Sequence, residues 1–214
     1  DRLKPRKTTT LQANFLQFFG VTYRNYLRDC QIRVSGKKVE AIDPLYLTES
    51  AKDFTISEHD IKAIPMPGDE FVLDLGDGVS GKVKVRCSIL PPGFATKDGR
   101  WGKNTNRIPR FHVLKENEGL LILRNGRQMD TVRASHLFPE NVDWTFKNND
   151  RYWKVEIDFS AELDEEFGVT TNKQQVVLSD RMWQKLADHH LFDVMRALRK
   201  ESERLIKTAQ ADEK

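Results

Sequence analysis

The hydrophobic pattern changes its period twice along this chain, and that change limits the fold more than any other feature. Between Phe71 and Ile89, apolar residues occupy alternate positions on either side of a glycine-containing turn, and lysines and an arginine fill positions between them. A repeat of two is typical of half-buried β-strands. Towards both ends of the chain, apolar residues recur every three or four positions, which is the spacing of an amphipathic helix.

Three further segments predict more strands in the middle of the chain. The stretch "QIRVSGKKVEAIDP" reads as two short strands around a Ser-Gly turn. "GLLILRNGRQMDTV" places an Asn-Gly turn between two apolar runs, which is a strong hairpin signal. "RYWKVEIDF" alternates again. We therefore expect about six or seven strands.

Helices are predicted at the two ends. An apolar stripe covers residues 8–28, with threonines at its start to cap the helix. From Ser179, which we expect to cap it, a long C-terminal helix is predicted over 179–214, although its last third loses most of the stripe. The order of helix, strands and helix predicts an α+β fold, with helices packed on one face of a mostly antiparallel sheet.

Composition narrows the class of protein. The 214 residues include 35 basic and 32 acidic side chains, and the formal charge of +3 neither requires nor excludes an anionic partner. The two cysteines, Cys30 and Cys87, are far apart and indicate neither a disulfide framework nor a zinc site, so we expect a cytoplasmic protein. No apolar run approaches the roughly 20 residues of a membrane helix, so no membrane partner is expected. Because the chain starts at Asp1 without a methionine, we expect a piece of a longer protein.

Two motifs suggest ligands but have simpler explanations. "GDGVSGKV" is close to a phosphate-binding P-loop, but Val83 replaces the required Ser or Thr and a strand pattern follows it. His189 and His190 are neighbours, and adjacent helical positions point about 100° apart, so at most one of them pairs with a carboxylate one turn away, and solvated or half-buried histidines are the favoured interpretation. We predict no metal site in this chain.

A basic segment is the stronger candidate for a ligand. Six basic residues lie between 97 and 115, and two aromatic residues are interleaved with them: Lys97, Arg100, Lys103, Arg107, Arg110 and Lys115, with Trp101 and Phe111. Cations that neutralise phosphates beside an aromatic ring that stacks on a base are the chemistry of single-strand nucleic-acid binding. A surface loop with ordinary solvating charges is the alternative.

Taken together, several motifs resemble a known family. "FFGVTYRNYL", "IRVSGKKVEAIDPLY", "LLILRNGRQMD" and "FGVTTNKQQVVLSDRMWQKL" occur in an order similar to the transducer-type second domain of GHKL ATPases, which include DNA gyrase B, MutL, histidine kinases and MORC proteins. The likeness is greatest to bacterial MORC-like ATP-binding proteins. The resemblance implies a curved sheet covered by helices, as in domain 2 of the fifth small-subunit ribosomal protein.

The resemblance also implies a division of the chain and a function. Residues 1–28 would form a helix leading from an absent N-terminal ATP-binding domain, residues 29–178 the transducer domain, and residues 179–214 the long C-terminal helix. Lys173 would sense the γ-phosphate of ATP bound in the neighbouring domain, and Thr171, Asn172 and Gln174 would shape its loop. ATP and magnesium would bind upstream, so this fragment alone would be inactive. Its partners would be that domain and a second copy in a homodimer. From the residues alone, Lys173 is an exposed loop lysine.

Overall fold

The protein has the predicted α+β fold, with one additional helix between strands in the middle of the chain. The computed structural model describes residues 7–56, 59–76, 78–101, 107–134, 138–139, 142–168 and 176–212. Its helices are α1 (Thr8–Thr22), α2 (Pro109–Glu116), α3 (Asp180–Asp188) and α4 (Leu191–Asp212). Its strands are β1 (Arg33–Val34), β2 (Lys37–Lys38), β3 (Ile64–Gly76), β4 (Val79–Ile89), β5 (Leu120–Arg124), β6 (Arg127–Val132) and β7 (Trp153–Phe159). Short 3-10 turns cover Asn148–Tyr152 and Ala161–Leu163.

The main sheet has five strands in the order β3-β4-β7-β5-β6. Neighbouring strands are antiparallel except for β5 and β7, which run parallel. Strands β1 and β2 form a separate small hairpin. The three predicted hairpins are thus confirmed, and the long β3–β4 pair contains the "GDGVSGKV" segment as a strand-turn-strand, as expected.

The strand β7 lies inside the sheet and is buried on both faces. Trp153, Val155 and Ile157 belong to a large core that includes residues of α3 and α4. Lys154 and Glu156 alternate with them and therefore point to the opposite face, where they are 0% and 2% exposed. The Lys154 ammonium donates to two carbonyls at the end of α2, so α2 covers this second face. The expectation of helices on one face only is corrected: helices pack on both.

The helix α1 is shorter than predicted and has a different cap. It ends at Thr22 instead of residue 28, because the Gly20 carbonyl accepts the Ile42 N–H (3.0 Å) in place of the Arg24 N–H that would donate to it in a continuing helix. The chain then turns from Tyr23 onward. The N-cap is Lys7 and makes no side-chain capping bond, so the predicted threonine cap is wrong.

The predicted C-terminal helix consists of two helices. The Ser179 cap is confirmed, since its hydroxyl accepts the Met182 N–H at 3.0 Å. The chain breaks between α3 and α4, where His190 has a left-handed φ of 59° and the ring of His189 stacks on Phe71 with centroids 3.4 Å apart. The expected long helix is present as α4, which has 22 residues. No helix within the described residues combines the length and hydrophobicity that a membrane crossing requires.

Candidate functional site

The described chain on either side of Lys173 is well defined. Residues 169–175 lie outside the described part of the chain, and with them Thr171, Asn172, Lys173 and Gln174. The described chain stops at Gly168 and resumes at Val176.

The chain that precedes residues 169–175 belongs to the core of the sheet. Phe167 is fully buried, and its ring stacks on that of Phe159 in β7, with centroids 3.7 Å apart and an angle of 6° between the planes. Gly168 follows in a left-handed conformation with φ of 61°. A Cβ atom at this position would lie 2.1 Å from the Val177 carbonyl oxygen. The outgoing and returning chains therefore touch at a point that only glycine fits.

Three hydrogen bonds made by Val176 and Ser179 hold the chain that follows residues 169–175. The Val176 N–H donates to the Asp130 carboxylate of β6 at 2.8 Å. The Ser179 N–H donates to the Glu166 carbonyl at 2.8 Å, and the Ser179 hydroxyl donates to the Glu166 carboxylate. Because that hydroxyl also caps α3, the chain that follows residues 169–175 is anchored to the sheet and to a helix.

Two of the sequence motifs meet elsewhere in the fold. Residues of "YRNY" follow α1, and residues of "RNGR" form the turn between β5 and β6. The Asn25 side-chain amide donates to the Gly126 carbonyl at 2.9 Å, and the Tyr26 hydroxyl donates to the Asn125 carbonyl. Asn125 and Gly126 have φ of 48° and 83°, as a type I′ turn requires. These motif residues connect the end of α1 to the sheet.

Arg24 strengthens this connection from inside the protein. Its guanidinium is 5% exposed and donates to the Glu156 carboxylate of β7, the Val21 carbonyl and the Gln128 side chain. The second oxygen of Glu156 accepts from Arg86 at 2.7 Å. A buried carboxylate is costly unless it is paired, and here two guanidinium groups share it. The end of α1 is therefore fixed to β7 and β4.

Burial changes the pKa of several groups on β4 and β7. It lowers the pKa of Lys154 to about 7 and raises that of the Cys87 thiol to about 12. Burial also raises the pKa of Asp158, and its neighbour Glu156 adds to this effect. A thiol with a raised pKa is a poor nucleophile, so Cys87 acts as a core residue.

The basic segment is only partly the loop that we expected. Residues Pro109–Glu116 form α2, and Arg110 is 1% exposed. Its guanidinium donates to the carbonyls of Asp53 and Phe54 at 2.8 and 2.7 Å, so it fixes a neighbouring loop instead of facing solvent. The interpretation of Arg110 as a nucleic-acid contact is thus corrected.

The other members of that segment differ in exposure. Lys97, Arg100, Arg107 and Lys115 are exposed, whereas Lys103 lies outside the described residues. The Trp101 ring packs against Tyr152 with centroids 4.8 Å apart, and the Arg107 guanidinium lies 3.6 Å from the Phe111 ring centroid. The nucleic-acid hypothesis therefore retains four exposed cations among the described residues and one half-buried aromatic ring, that of Trp101.

Sequence reasoning missed the residues that position these elements. Asp130, Glu156 and Lys154 were not singled out, although "WKVEIDF" carried a signal: charged residues alternate within a strand whose other face is strongly apolar. Within the described residues, no three His, Cys, Asp or Glu side chains are grouped as metal ligands would be. Comparison with protein-family models, curated proteins and solved structures finds no match to this chain.

Proposed function

We propose that this chain is the transducer region of a GHKL-type ATPase. In this proposal, a separate N-terminal domain binds ATP and magnesium, and Lys173 contacts the terminal phosphate across the domain boundary. The observation that carries the proposal is the anchoring of the chain on both sides of segment 169–175, since Gly168 lies against the Val177 carbonyl and the Val176 N–H donates to Asp130 of the sheet. A lysine in a segment that is anchored on both sides suits phosphate sensing, because an ammonium is a compact cation that loses its partner when the γ-phosphate leaves.

The anchors provide a route from the phosphate to the domain. A force on segment 169–175 acts on β7 through the stacked Phe167, on β6 through Asp130 and on α3 through Ser179. Since these elements share one core, the domain would turn as a unit when Lys173 gains or loses the phosphate. The fixed end of α1 supports the same mechanism, since Arg24 ties the helix nearest the proposed ATP-binding domain to the sheet.

The proposal also includes a compartment and partners. We infer a cytoplasmic ATPase, consistent with two cysteines that are both free, one exposed and one buried. Its partners are the upstream ATP-binding domain and a second copy, with which it closes as a dimer when ATP binds. The fragment alone does not hydrolyse ATP.

The test uses the longer protein that joins this region to its ATP-binding domain. Lys173→Ala is compared with Lys207→Ala, which removes an exposed lysine from α4 at the same cost in charge. We expect Lys173→Ala alone to reduce ATP turnover and ATP-dependent dimerisation. Unchanged ATP turnover and unchanged dimerisation in Lys173→Ala would contradict the proposal. An upstream coding sequence without an ATP-binding domain would also contradict it.

A nucleic-acid-binding module is the second candidate. It is favoured by the exposure of Lys97, Arg100 and Arg107 around Trp101. Single-strand binding that weakens steeply with salt would support it, and the two functions are compatible in one protein.

A further inference from the structure

A cavity of about 830 Å³ opens beside the junction of α1 and the sheet. Its walls come from the turn after α1, from β2 and the segment that follows it, from β4 and β7, and from the turn between β5 and β6. This volume is in the range of small-molecule sites, which is about 300–1,000 Å³. Its described lining residues include neither Gly168 nor Val176, nor any described residue of the basic segment 97–115.

The charged residues of the wall are predominantly basic. Five are basic and three are acidic, a difference of +2: Arg24, Arg28, Lys38, Lys84 and Arg86 against Glu40, Glu156 and Asp158. Two of the carboxylates are already bound by protein donors. Glu156 lies between the guanidinium groups of Arg24 and Arg86, and Asp158 accepts the Gly126 N–H at 2.8 Å.

The third acidic residue, Glu40, and the lysines Lys38 and Lys84 lie at the exposed rim of the cavity. The Glu40 side chain is 64% exposed and lies 4.0 Å from Lys52, which is outside the wall. Lys84 has only a surface ion pair with Glu70, at 3.9 Å, and Lys38 has no ion pair among the described residues. Surface pairs of this kind contribute little, so both ammonium groups are available to a ligand.

The uncharged residues indicate the kind of anion. Ser50 and Asn125 bring side-chain hydrogen-bond donors to the same wall, and the Asn25 amide has a second N–H beside the one it donates to Gly126. None of the described lining residues is aromatic. A site with cations and neutral donors, but without a ring to stack on a base, suits a phosphate group better than a nucleobase. Arg86 adds a guanidinium whose side chain is 29% exposed and already fixed by Glu156.

We propose that this cavity binds a small phosphate-bearing anion. The rim lysines Lys38 and Lys84 contact the phosphate oxygens, Arg86 forms the positive floor, and the neutral side chains complete the hydrogen bonds. This site belongs to the chain itself and is independent of Lys173 and of any ATP bound by another domain.

The test is calorimetric titration of the 214-residue chain with pyrophosphate at constant ionic strength. Lys84→Met and Lys38→Met are compared with Lys82→Met and Lys37→Met, which remove the same charge from exposed neighbours outside the cavity wall. We expect saturable binding, weakened about fivefold by each rim variant and less than about twofold by each control. All four lysines are exposed, so the variants should fold, and circular dichroism verifies this.

Three outcomes would overturn the proposal. The first is the absence of saturable pyrophosphate binding, and the second is an equal loss of pyrophosphate affinity in the rim and control variants. The third is that an oligothymidylate binds through Lys38 and Lys84 and pyrophosphate does not displace it. The last outcome would assign the surface to single-stranded nucleic acid. Retained pyrophosphate binding in Lys173→Ala separates this site from the proposed phosphate sensor.

Discussion

Replacing Arg24 tests whether the "YRNY" motif fixes α1 to the sheet. Arg24→Met keeps much of the apolar stem but removes the guanidinium, which leaves Glu156, 2% exposed, with Arg86 as its remaining ion-pair partner. Breaking a buried ion pair typically costs ~3–5 kcal/mol, because the other charge stays buried. Since Arg86 still pairs with Glu156, we expect a loss near the lower end, about 3 kcal/mol of unfolding free energy.

The assay is urea unfolding followed by the fluorescence of the four tryptophans. The control is Arg28→Met, which removes an arginine four residues away whose side chain is 81% exposed and pairs with an exposed Asp29. We expect the control to change stability by less than about 0.5 kcal/mol. In a double-mutant cycle, Arg24→Met should cost less in a Glu156→Gln background than in the wild type, because the buried carboxylate that Arg24 pairs with is then already absent. A loss below about 1 kcal/mol in Arg24→Met, or one equal to that of the control, would refute the reasoning.

Three further predictions concern other parts of the fold. Burial lowers the pKa of Lys154 to about 7, whereas its unfolded value is near 10.5, so the unfolded chain binds more protons than the folded chain between these pH values. The free energy of unfolding of the wild type should therefore rise, relative to that of Lys154→Met, as the pH increases from 7 to 10. Parallel pH profiles of the two proteins in denaturant unfolding would contradict this. In the longer protein, Asp130→Ala should lower ATP turnover because it removes the acceptor of the Val176 N–H, whereas Asp130→Asn keeps an acceptor oxygen and should retain most of the turnover. Equal turnover in the two variants would argue against a role for the Val176–Asp130 hydrogen bond. If the basic segment binds single strands, the triple variant Arg100→Ala, Lys103→Ala and Arg107→Ala should reduce both affinity and its salt slope in fluorescence anisotropy, and an unchanged slope would exclude these cations.

The strands were predictable because their signals are local. Alternation in β4 and the Asn-Gly turn between β5 and β6 depend on residues that are close in sequence, and the structure contains both hairpins. The ends of the helices were not predictable in the same way. Helix α1 stops because Ile42 takes the Gly20 carbonyl, and the break between α3 and α4 coincides with the packing of His189 on Phe71. Such contacts come from distant parts of the chain.

The same distinction applies to the candidate site. Lys173 was identified by resemblance, while its anchors depend on Asp130 and Glu166, which the fold brings to Val176 and Ser179. The basic segment was misjudged at Arg110 because charge alone does not distinguish a solvated arginine from one that binds buried carbonyls. Counting cations in a sequence therefore overestimates the basic surface of the folded protein.

The most direct test of the central claim is to measure whether the terminal phosphate of ATP covers Lys173. In the longer protein, the reactivity of each lysine towards an amine-acylating reagent is quantified by mass spectrometry, with Lys207 as the internal reference. We predict that a non-hydrolysable ATP analogue with magnesium protects Lys173, that ADP with magnesium does not, and that Lys207 reacts equally in all states. Equal reactivity of Lys173 with the analogue, with ADP and without nucleotide would contradict the proposed phosphate contact.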